Sequence, residues 1–171
     1  METVCCNFYP NGNDLQRRIG YADVKSAPVH FYVQRESKFS TLDTPIPFDL
    51  AVVNEGNAMD LTSGTFTAPR KGIYFFSFTG QAIFPASSSK VWLGVFFRVN
   101  GNRIGLGYVE EANTIDNQRT PLTFQSTLKL NKGDRLWLEI SIKSGVRMFD
   151  DSDHHTHFTG FLLEEEIVAS L

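Results

Sequence analysis

The sequence predicts an all-β fold, a sandwich or barrel of short antiparallel strands. Three observations carry that expectation. From Pro28 onward the chain is a series of short apolar-alternating segments punctuated by Gly, Pro, Asn and Asp. An Asn100-Gly101 pair sits between two such segments, the strongest two-residue hairpin signal because both central positions need positive φ. No stretch repeats its apolar residues with the period of an amphipathic helix.

Composition fits a globular sheet protein. The 171 residues are 42% hydrophobic and 20% charged, which separates them from a disordered chain. Fifteen are Phe, a heavy aromatic usage that suits a sheet core better than a helix bundle. A net charge of -3 leaves no basic footprint for nucleic acid. No apolar run approaches the roughly 20 residues that a membrane span needs, so a soluble chain is expected.

Residues 1–26 are polar and weakly periodic, and are read as a flank; residues 27–171 are read as one domain. The only cysteines, Cys5 and Cys6, are adjacent, a spacing at which a mutual disulfide is geometrically awkward. They are either free thiols or bridges between chains of an oligomer. The opening Met1-Glu2-Thr3 shows no secretory leader, which does not by itself assign the chain to the cytosol.

Taking the strands in order, Gly72 to Phe78 is apolar on both faces: Tyr74, Phe76 and Phe78 on one, Ile73 and Phe75 on the other. A sandwich core covers only one face of each sheet. The second face therefore needs a neighbouring subunit, or else a loop or the flank, as its cover. The two-residue turn at Asn100-Gly101 predicts a hairpin in which Phe97 pairs with Ile104, Val95 with Leu106 and Leu93 with Tyr108, all on one apolar face. A second hairpin is expected around Asn131-Lys132-Gly133-Asp134, joining the alternating runs Phe124–Leu130 and Leu136–Ile142.

The segment Phe48-Asp-Leu-Ala-Val-Val-Asn54, followed by Phe66, Pro69 and Gly72-Ile-Tyr74-Phe-Phe76-Ser-Phe78, resembles the signature of the complement 1q globular-head domain family. Met59 stands where that family usually has an aromatic, and an unbranched thioether is expected to adjust the packing without changing the fold. Leu130-Asn-Lys-Gly133-Asp134-Arg-Leu-Trp137 and Phe158-Thr-Gly160-Phe161-Leu-Leu163 resemble later lines of the same family in the right order. The resemblance implies a jelly-roll sandwich of about ten short antiparallel strands, tumour-necrosis-factor-like and trimeric. It places Phe48, Phe66, Gly72, Tyr74, Phe76, Phe78 and Phe161 in the structural core, with Ile73 and Phe75 as trimer-interface candidates.

No catalytic motif competes with this. The chain has no Gly-x-Ser-x-Gly elbow, phosphate loop or dinucleotide fingerprint, and no enzyme is expected. His154, His155 and His157 beside Asp150, Asp151 and Asp153 raise zinc, but a polar loop leading into the last strand accounts for them with fewer assumptions. The family resemblance also implies calcium, held near a trimer axis by the loop from Tyr108 to Pro121; Glu111 and Asp116 are the candidate donors, with Glu110 in reserve. Solvated loop charges explain these residues equally well. The function implied is a secreted, extracellular recognition module that binds glycans or microbial-surface groups as a homotrimer. The alternative is a trimeric signalling ligand for a cell-surface receptor.

Overall fold

Eleven strands, with no helix between them, make up residues 27–167, the part of the chain that the computed structural model describes. They are β1 (His30–Gln34), β2 (Leu50–Glu55), β3 (Met59–Asp60), β4 (Thr65–Thr67), β5 (Gly72–Phe84), β6 (Val91–Val99), β7 (Asn102–Glu111), β8 (Gln118–Leu130), β9 (Arg135–Lys143), β10 (Arg147–Phe149) and β11 (His157–Glu165). Every pairing between these strands is antiparallel. One sheet runs β2-β1-β11-β5-β8, with β10 sharing the β11 side of β5; the other runs β3-β4-β9-β6-β7. The two sheets enclose one core, as in a jelly roll. The expected flank and both cysteines lie outside the described residues.

β5 organises the first sheet. It pairs along its whole length with β8, and on its other edge with β11 and then β10. Its residues alternate from Gly72 to Ala82, so Tyr74, Phe76 and Phe78 are fully buried while Ile73 and Phe75 are only partly covered. Phe31, Phe66, Phe97 and Phe158 converge on Phe76 with ring centroids 5.3–6.5 Å apart, distances at which offset and edge-on aromatic contacts add to simple burial. The Tyr74 hydroxyl donates to the Arg70 carbonyl at 2.7 Å, which satisfies the one polar atom of that side chain. Met59 is buried and sits opposite Phe66, so the thioether fills its place within the core.

Three local expectations change. The Asn100-Gly101 turn forms, with φ of 50° and 88°, but a bulge two pairs later shifts the register. Phe97 faces Gly105, Val95 faces Gly107 and Leu93 faces Val109. The cause is space: a Cβ on Gly107 would stand 2.2 Å from the ring of Phe124. Small residues are needed on the core side of β7, so Ile104, Leu106 and Tyr108 turn outward. The second correction concerns β8 and β9, which do not pair. The Asn131–Asp134 turn carries the chain from one sheet to the other, because β8 joins β5 and β9 joins β4 and β6. The third is Phe161, which was expected in the core; it lies on the outer face of the first sheet, 38% exposed, because Phe158 and Gly160 take the inward positions of β11.

The second sheet carries a buried charge that composition does not reveal. Glu139 accepts hydrogen bonds from Ser141 at 2.6 Å, Trp137 at 2.9 Å and Arg98 at 2.7 Å. Burial pushes its carboxyl up, but those donors and the Arg98 charge outweigh burial and hold it below the ordinary carboxylate range. A carboxyl lowered in the folded state stabilises the fold above its unfolded pKa, and that stabilisation fades as pH falls through the folded value.

Two outcomes are expected. Gly101→Val forces a β-branched residue to positive φ and costs about 1–3 kcal/mol, read as a lower thermal midpoint; an unchanged melt would mean that the turn is not held at that φ. Arg98→Met strands Glu139 without its cation and costs about 3–5 kcal/mol at neutral pH. In denaturant titrations that loss shrinks as pH falls through the folded-state pKa of Glu139 and the carboxyl takes up its proton.

Candidate recognition surfaces

The alternation that builds the core also leaves an apolar outer face on the first sheet. Phe75 on β5 lies directly opposite Phe161 on β11, their rings 5.3 Å apart. Ile73 continues the row on β5. On β1, Tyr32 packs edge-on to His157 at 5.5 Å, and Val53 of β2 lies opposite Tyr32. Burial holds the His157 imidazole below its ordinary value, with Asp150 pulling the other way. A shallow depression of about 450 Å³ runs between these strands, lined by Pro28, His30, Tyr32, Val53, Thr159 and Phe161 among others.

A second apolar surface, of different shape, lies on β7, an edge strand of the other sheet. Ile104, Leu106 and Tyr108 are 40%, 45% and 45% exposed and stand in a row along it. The row exists because Gly105 and Gly107 occupy the inward positions of this strand. An exposed row of large apolar side chains on a sheet edge is the feature that soluble proteins ordinarily blunt with charge. Here charge flanks the row without interrupting it: Arg103 lies over the Phe96 ring at one end, and at the other Glu110 accepts from Tyr108 at 2.9 Å and pairs with Lys90 at 2.6 Å.

The loops gather where β5 ends. The β5–β6 and β7–β8 loops are tied by the Ser87 N–H to the Thr114 carbonyl at 3.0 Å and by the Thr114 hydroxyl to the Pro85 carbonyl at 2.6 Å. Thr114 is buried, while its neighbour Ile115 stands free at the tip, 72% exposed. The candidate calcium donors do not converge within one chain. Glu110 is engaged by Lys90 and Tyr108, whose hydrogen bonds hold its carboxyl low. Glu111 accepts from the Thr120 hydroxyl at 3.0 Å, and Asp116 from the Asn117 amide at 2.9 Å. These three residues alone therefore do not make a calcium cradle in a single copy.

The C1q domain family model matches residues 30–163, nearly the whole of the described sandwich. The chain belongs to the C1q domain family. Human complement C1q and tumor necrosis factor-related protein 9B is 31% identical over 133 residues, covering 74% of this chain and 35% of that protein. The chain thus spans about a third of the length of this relative. Among solved structures, the globular domain of zebrafish complement 1qA protein superposes with a TM-score of 0.59 at 18% identity, covering 81% of this chain and 99% of that one. Eiger TNF from S. frugiperda superposes with a TM-score of 0.62 at 10% identity, covering 85% and 99%. Both likenesses are of fold, and they agree with the two-sheet jelly roll of this C1q domain.

Sequence reading located Ile73 and Phe75 on the outer face but missed the β7 row. The signal for it was present: glycines alternate with large residues at Gly105 and Gly107, which marks a strand whose inward positions are crowded.

Proposed function

We propose that this C1q domain is an extracellular recognition module that works as a homotrimer. It binds glycans or other repeated surface groups through the loops at the end where β5 finishes. The observation that carries the reading is the pair of unlike apolar surfaces, the Phe75–Phe161 face and the β7 row, exposed on one chain. A contact between unlike surfaces generates either a closed ring or an open filament. A ring of three is the arrangement that the family resemblance implies. Burying a large apolar side chain fully is worth about 1.5–3 kcal/mol, and in a three-membered ring each contact occurs three times.

Ring formation also gives the loops a role. Three copies present three identical loop sets at one end, so weak sites act together on a repeated surface by raising effective concentration. Calcium enters this reading only as a ligand shared between copies, since Glu110, Glu111 and Asp116 are separately engaged within their own chain. The reading is one of binding and not of catalysis.

Sedimentation equilibrium checks the assembly: the wild type should weigh about three times the 19.3 kDa chain. Phe75→Asp buries an unpaired charge at the contact and should give monomer or insoluble protein. A soluble Phe75→Asp trimer overturns the assignment of the face, and a monomeric wild type overturns the trimer. A glycan and microbial-surface array, run with calcium, with chelator and with competing sugar, checks the ligand class. Sugar-sensitive binding is expected. A chain that ignores the array yet binds one cell-surface receptor tightly would replace the recognition reading with that of a signalling ligand.

A further inference from the structure

The loop between β10 and β11 brings together three side chains that neither the core nor the two apolar surfaces use. Donor atoms of Asp151, Asp153 and His155 all lie within 4.8 Å of one another. The His155 Nε2 is 3.4 Å from the Asp151 Oδ1. This differs from the trio that spacing along the chain suggests. His157 faces Tyr32 on the outer sheet face, and His154, at φ 54°, turns its Nδ1 to the Arg35 carbonyl at 3.0 Å.

We propose that Asp151, Asp153 and His155 hold a divalent transition-metal ion of the zinc class. The histidine sets this group apart from an acidic cluster, because an imidazole nitrogen with two carboxylates suits zinc and its neighbours, whereas calcium and magnesium prefer oxygen alone. Charge points the same way. Among the described residues, no Lys or Arg pairs with Asp151 or Asp153, so two converging carboxylates lack a fixed cation.

The loop is also held in place before any ion arrives. Asp150, buried beneath it, accepts the N–H groups of Asp151 at 3.0 Å and His155 at 2.9 Å on one oxygen, and that of Thr156 at 2.8 Å on the other. The Asp151 carboxylate in turn accepts the Asp153 N–H at 2.9 Å. The His155 ring packs beside Phe149, 5.4 Å between centroids, which gives the imidazole an apolar backing. Support of this kind, from residues that do not touch the ion, orients its ligands. Zinc bonds of about 2.1 Å bring tetrahedral donors to roughly 3.4 Å apart, so side-chain rotation of the three is enough to close the shell. Three protein ligands leave a position open to water.

The alternative is a metal-free loop in which His155 and Asp151 simply contact each other at 3.4 Å. Isothermal titration with zinc chloride on the full chain at pH 7.5, and on a Cys5→Ser/Cys6→Ser variant that removes the thiols, separates these cases. Both should take up one zinc ion per chain at micromolar concentration. His155→Ala and Asp151→Asn/Asp153→Asn, each in the thiol-free chain, should lose that uptake, while His157→Gln should keep it. Cobalt substitution should give the visible absorption of a low-coordinate nitrogen–oxygen site, and millimolar calcium should not displace the ion. Metal-free melts of His155→Ala and wild type should coincide at pH 7.5, which separates lost ligation from misfolding. No zinc uptake by the thiol-free chain, or uptake unchanged in His155→Ala, overturns the proposal.

Discussion

One constraint runs through this structure: a β-strand has two faces, and a two-layer sandwich covers only one of them. β5 is apolar on both. Its inner row, Tyr74, Phe76 and Phe78, is enclosed by Phe31, Phe66, Phe97, Phe124 and Phe158, and this aromatic cluster joins the two sheets. Its outer row, Ile73 and Phe75, extends onto Phe161 of β11. The same alternation that makes the domain fold therefore leaves an apolar outer face on the first sheet, the surface on which the proposed trimer contact rests.

The second exposed row arises from the same crowding at a different place. Phe97 and Phe124 meet with centroids 4.8 Å apart, and the strand facing them can offer only glycine inward. A bulge after the Asn100-Gly101 turn supplies the shift of one residue that puts Gly105 and Gly107 there. Ile104, Leu106 and Tyr108 are displaced to the solvent side as a consequence. Core packing thus sets the composition of both outer surfaces, and the loops remain free to vary around a rigid frame.

How far the residues alone disclosed this depends on the range of the interaction. The turn at Asn100-Gly101 and the alternation of β5 are local, and both were legible. The register beyond the turn was not, because it is decided by Phe124, an element away in sequence. The Asn131–Asp134 turn has the residues of a hairpin, yet its flanking strands enter different sheets, and only the pairing of β8 with β5 reveals this. Phe161 looks like a core residue by type; its neighbour Gly160 decides otherwise, since a Cβ there would stand 2.6 Å from the rings of Phe31 and Phe76. In the histidine-rich loop the residues were visible, but their grouping was not. It depends on the left-handed turn at His154 and on the hydrogen bonds of the buried Asp150.

The proposed trimer contact joins the Phe75–Phe161 face of one copy to the β7 row of the next, and a mixing experiment separates the two halves. Phe161→Asp removes the face, and Leu106→Asp removes the edge row, so each variant alone should sediment as monomer. Mixed in equal amounts, the edge of one remains compatible with the face of the other, and a single intact contact should yield a one-to-one heterodimer that cannot close into a ring. Two variants that stay monomeric on mixing, although each is folded by circular dichroism, would contradict a contact between the face and the edge row.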